Sequence, residues 1–191
     1  MLLDSKLKPE VQDISGKNIL HLLCKDPLEN STIELESRLI TLVERLIKEF
    51  KIDINCKDST GFTPLMFACE HGNLNLIRKL VELGSNVNYT NSEGLNSMLL
   101  AIVNSLPNVV KYLLDNGFDI KSSSKNISYI TDSAYLNEDE IFKLLIDAGC
   151  DVNETKQDEN GVILNPLWAA CERSNFKIVE ILLKNGAKTI M

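Results

Sequence analysis

A chain of 191 residues with 44% hydrophobic content can form one well-packed core and is short for two independent globular domains. Its 27 acidic and 20 basic residues leave a formal charge of −7, which argues against nucleic-acid phosphate or an anionic membrane as partner because both repel that field. Five cysteines with no Cys-x-x-Cys pair, an early acid at Asp4 and no apolar run of membrane-spanning length predict an intracellular, cytoplasmic protein without membrane insertion.

Two signals recur along the chain. One is an apolar pair followed by glycine: Leu80-Val81 with Gly84, Leu113-Leu114 with Gly117, Leu145-Ile146 with Gly149 and Leu182-Leu183 with Gly186, in steps of 33, 32 and 37 residues. The other is a turn that Asp or Asn opens and Gly closes, at Asp13–Gly16, Asp58–Gly61, Asn91–Gly94 and Asp158–Gly161.

In chain order, residues 1–12 read as a remnant half repeat, with Leu2-Leu3 where an apolar pair belongs. The first full unit, 13–57, carries an insertion over 25–38, since Cys24 to Leu42 spans eighteen residues where Cys69 to Leu76 spans seven. Ser31-Thr32-Ile33-Glu34 has capping-box spacing and predicts a lengthened second helix from Ser31 onward. The second unit, 58–90, has Thr63-Pro64-Leu65 to start a short helix to Gly72, then Leu76, Ile77, Leu80 and Val81 at helical spacing before Gly84. The third, 91–123, keeps this register with Asn96-Ser97-Met98. The fourth, 124–155, is one residue short and has Ile127 where the turn glycine belongs. The fifth, 156–191, keeps Asn165-Pro166-Leu167 and adds two residues among Val162, Ile163 and Leu164, which predicts a longer, more apolar finger.

Thr63-Pro64-Leu65-Met66-Phe67-Ala68 resembles the Thr-Pro-Leu-His-x-Ala motif of the ankyrin repeat, strongest from Asn55 to Asn88. The resemblance implies an all-α, ankyrin-repeat solenoid of about five helix-turn-helix repeats joined by short β-hairpin finger loops, forming a single domain over 1–191. It implies that His21, in the histidine slot, bonds a neighbouring loop, and that Asn88 and Asn153 satisfy backbone of the next turn. Cys24, Cys69 and Cys171 share one slot and read as core packing rather than metal ligation or catalysis.

Two distant histidines, no phosphate-binding loop and no nucleophile with a base give catalysis no constellation, so no enzyme activity, metal or cofactor is expected. The resemblance instead implies a protein partner, bound on the face built from finger tips and first helices. Carried over by register, that face holds Phe62, Glu70 and His71 in the second repeat, Glu93, Leu95, Val103 and Asn104 in the third, and Val162, Ile163 and Arg173 in the fifth. Phe62 and Leu95 either face solvent there or pack against each other along the hairpins. The expected role is that of an adaptor, scaffold or inhibitor acting as a monomer. Alternatives are a recruiting segment of a larger multidomain protein or enzyme, a host-directed effector of a parasite, intracellular bacterium or virus, and a homo-oligomer.

Overall fold

The computed structural model describes residues 11–25, 32–121, 127–158 and 160–188. The half repeat at 1–12 and the fourth hairpin therefore lie largely outside the described residues. The chain falls into two compact units that meet between Ser92 and Glu93.

The first unit contains α1 (Ile19–Lys25), α2 (Ile33–Lys48), α3 (Pro64–His71) and α4 (Leu74–Glu82). Helix α1 packs on α3 and α2 on α4, while each first helix packs on its own second helix. Leu20, Cys24, Val43, Leu46, Leu65, Met66, Ile77 and Leu80 are buried. The second unit contains α5 (Ser97–Val103), α6 (Pro107–Asp115), α7 (Tyr129–Leu136), α8 (Asp139–Asp147), β1 (Lys156–Gln157), β2 (Ile163–Leu164), α9 (Pro166–Glu172) and α10 (Phe176–Lys184). Here α5, α7 and α9 pack in one row and α6, α8 and α10 in another. Its core includes Ile130, Ala134, Phe142, Ala169, Ala170, Ile178 and Leu182.

The residue before each first helix explains why the helix starts there. Side chains of Thr63, Asn96, Ser128 and Asn165 accept from the backbone N–H of Met66, Leu99, Thr131 and Trp168, and Asn18 accepts from Leu20 and His21, so the free amides of the first turn are satisfied by a short side chain. The third and fourth repeats thus keep a cap although both lack the Thr-Pro-Leu start. Helix α2 starts one residue later than expected: Thr32 rather than Ser31 is its cap, with the Thr32 hydroxyl accepting from Leu35 N–H. It runs for 16 residues against 9 in α4, and exposed Glu34–Arg38, Glu44–Lys48 and Arg45–Glu49 pairs at i,i+4 lace its outer side.

The fingers share one turn chemistry. Asp13, Asp58 and Asp158 each accept from two backbone N–H groups ahead of them, on Ser15 and Lys17, Thr60 and Phe62, and Asn160 and Val162. Among the described residues, however, only the enlarged fifth finger forms a ladder, pairing Lys156 with Leu164 and Gln157 with Ile163. The first two fingers are tight turns, closed by Asp13 N–H donating to Lys17 O at 2.9 Å and Asp58 N–H donating to Phe62 O at 3.0 Å.

His21 is fully buried and bonds at both nitrogens: Nδ1 accepts from Asn18 N–H at 3.1 Å and Nε2 donates to the Phe62 carbonyl at 3.1 Å. The neutral ring carrying its proton on Nε2 satisfies both bonds. Burial, acting first, holds its pKa below the ordinary 6.5, so the unfolded chain binds a proton on His21 that the native state refuses. Stability is therefore expected to fall as pH drops from about 6.5 through the lower folded value. Urea unfolding at pH 7.5 and 5.5 checks this, with His21→Gln showing a smaller acid-side loss.

Candidate functional site

The expected binding surface is built from the first helices, and the residues seven and eight positions after each cap occupy its edge. In the first unit these are Glu70, half-buried, and His71, exposed, with His71 Nε2 lying 3.9 Å from a Glu70 carboxylate oxygen. Phe62 does not face solvent there. It is half-buried, its ring 5.2 Å from that of Phe67 in its own repeat, so the finger aromatic closes back onto α3. Lys17 covers the outer side, its ammonium 5.3 Å above the Phe67 ring and 4.0 Å from the Asp58 carboxylate.

In the second unit, Glu93 is exposed and Leu95 half-buried beside α5, so Leu95 too is withdrawn from the expected row of open apolar side chains. Val103 and Asn104 are exposed at the end of α5. The equivalent positions on α7 are Tyr135 and Leu136, and on α9 and its cap Glu172 and Arg173. Val103, Tyr135 and Leu136 keep 46%, 37% and 38% of their surface open, which makes a short apolar edge along helices that pack against one another. Arg173 joins it across the repeat boundary, its guanidinium carbon 3.9 Å over the centre of the Tyr135 ring. Val162 and Ile163, both more than half open or at half, stand on the fifth finger as expected. Tyr135 and Leu136 were absent from the expected set. Counting seven and eight residues from the cap Ser128 would have found them.

The polar interior beneath this edge is structural. Ser128 Oγ donates to Glu154 at 2.8 Å, Asn96 Nδ2 donates to the Tyr129 hydroxyl at 2.8 Å, and Lys156 pairs with Asp132. Asn153 performs the loop bonding expected of it, donating to Gly186 O at 3.3 Å and accepting from Lys188 N–H at 2.8 Å. No group of three His, Cys, Asp or Glu side chains among the described residues converges as a metal site, and no described helix is long and apolar enough to cross a membrane.

The shared cysteine slot divides. Cys24 and Cys69 are buried, and burial pushes the Cys24 thiol far above its ordinary range, but Cys171 is exposed and so is not a packing residue. In this slot the burial of Cys24 accompanies the stacking of α3 on α1. Trp168 of the same helix as Cys171 is 44% exposed. Cys171→Ser is accordingly expected to change stability by less than about 0.5 kcal/mol, and Cys24→Ser to lose about 1–3 kcal/mol by burying a hydroxyl in a thiol's place. Paired denaturation curves measure both.

The family described as Ankyrin repeats (3 copies) matches residues 33–124, and that described as Ankyrin repeat matches residues 164–190. The chain is 28% identical over 111 residues to Palmitoyltransferase AKR1 of Saccharomyces cerevisiae, covering 58% of this chain and 14% of that protein. It is 27% identical over 183 residues to the Nuclear factor NF-kappa-B p105 subunit of Gallus gallus, covering 92% of this chain and 17% of the relative. It thus spans about a sixth of the length of these relatives or less. The crystal structure of the human ASB11 ankyrin repeat domain superposes with a TM-score of 0.72 at 20% identity, over 90% of this chain and 71% of that one. With the two matched segments together covering more than half of its residues, and with repeated capped helix pairs beneath them, the chain belongs to the ankyrin-repeat family.

Proposed function

We propose that the chain is a protein-binding module, without catalytic activity or cofactor, that holds a segment of another protein along the ends of α5, α7 and α9 and the fifth finger. Ankyrin-repeat domains generally mediate protein–protein interaction. The observation that supports this placement is the run of open apolar side chains at Val103, Tyr135 and Leu136 on adjacent packed helices. Apolar residues in a row, bordered by Asn104 and Arg173, suit the dry centre and polar border of an interface. Because helix caps and core packing hold the edge before a partner arrives, binding loses little to ordering.

In this reading the chain acts as a monomer in the cytoplasm, as adaptor, scaffold or inhibitor. Within the second unit Glu93 and the finger residues Val162 and Ile163 contribute at the border and Leu95 supports it from within, while Glu70 and His71, with Phe62 beside them, offer a separate contact on the first unit. A second reading, that the module recruits targets for a longer protein, is favoured by relatives several times its length. A photo-reactive amino acid placed at Leu136 should form a discrete covalent adduct with a second polypeptide in native extract, whereas one at exposed Lys143 of α8 should not. Equal labelling from both positions, or none from Leu136, would remove this surface.

A further inference from the structure

Arg173 differs from the other charged residues around it. Lys156 and Lys177 are taken up by Asp132 and Asp139, but among the described residues no carboxylate pairs with Arg173. Its guanidinium carbon instead lies 3.9 Å from the centre of the Tyr135 ring. The ring contact tethers the side chain, and a guanidinium fork can hold a carboxylate with two parallel bonds. At the ends of the neighbouring α5 and α7, Val103 and Leu136 leave apolar surface open.

We infer that this edge recognises an extended acidic peptide segment in which an aliphatic or aromatic side chain stands about three residues from a carboxylate. The inference rests on the proposed binding surface and specifies its partner. The spacing follows from the fold: Val103 ends α5 and the guanidinium lies over Tyr135 of α7, these helices pack on each other, packed helices lie about 8–10 Å apart, and an extended chain covers that distance in about three residues at roughly 3.3 Å each. The apolar side chain covers Val103, and the carboxylate reaches the fork of Arg173. The net charge of −7 opposes approach at long range, but salt screens that field beyond about 8 Å, so the contact is decided by the local arginine.

The test is a selection of a random dodecapeptide display library against the whole chain. Enriched peptides should carry Asp or Glu about three positions from an aliphatic or aromatic residue. They should lose about tenfold in affinity to Arg173→Gln, and Arg173→Lys should recover only part of that loss because lysine cannot form the fork. Both exposed substitutions should leave the unfolding curve in place. Peptides that weaken with Val103→Ser but bind Arg173→Gln as tightly as the parent overturn the acidic segment and leave the surface standing. Peptides indifferent to both substitutions overturn the surface and the inference together, and a library that yields no binder overturns the inference.

Discussion

Gly16→Ala should be among the most damaging single-atom-group additions to this chain, costing about 2–4 kcal/mol of unfolding free energy. Gly16 has φ of +74°, where a side chain is strained, and a Cβ there would lie 2.8 Å from the Ser59 backbone nitrogen. That nitrogen donates to Ser15 O at 2.9 Å, the bond that ties the first finger to the second. A methyl group in this gap must push the fingers apart and strand the Ser59 N–H. Gly161→Ala provides the control: its φ is +80° but nothing lies within 4 Å of the added Cβ. It should show the strain alone, about 1–2 kcal/mol. Equal losses in urea unfolding would show that the finger contact contributes nothing.

Lys156→Met should destabilise the second unit by about 2–4 kcal/mol at neutral pH. Lys156 on β1 pairs with Asp132 on α7, and their side chains are only 18% and 19% exposed. Burial pushes the Asp132 carboxyl above its ordinary range even though Lys156 pulls the other way. Without the lysine that carboxylate is left nearly alone in a dry setting. Because the folded pKa then stands higher above the unfolded 3.8, the native state holds a proton that the unfolded chain releases. The penalty is absent below 3.8 and grows as pH rises through the folded value. The loss should therefore be smaller at pH 4 than at pH 7, and Asp132→Asn combined with Lys156→Met should recover most of it. A loss independent of pH would mean that lysine packing, not charge, is what the pair supplies.

Much of this architecture was legible because ankyrin repeats write local chemistry at fixed intervals. Asn18, Thr63, Asn96 and Asn165 announce helix starts whatever surrounds them, and His21 found its loop carbonyl in the slot its motif assigns. What escaped depends on contacts between repeats. Cys69 and Cys171 occupy one slot with opposite exposure, since covering is done by a neighbouring helix that the slot itself does not encode. Phe62 sits where solvent was expected, yet its ring reaches Phe67 five residues on, and finger position alone does not say which way an aromatic folds. Tyr135 and Leu136 lay in the degenerate fourth repeat, which is one residue short and has Ile127 where the turn glycine belongs. With that punctuation missing, counting from the cap was the signal that remained.

The exposure of Trp168 on α9 has a spectroscopic consequence. Trp168 is the only tryptophan in the chain, and at 44% exposure its indole already meets water in the native fold. Its emission should begin red-shifted and change little on denaturation, while quenching by iodide should be efficient from the start. Fluorescence therefore makes a poor gauge of the first unit and a sensitive one for anything that covers the last repeat, because a covering group would shift the emission to the blue without any label.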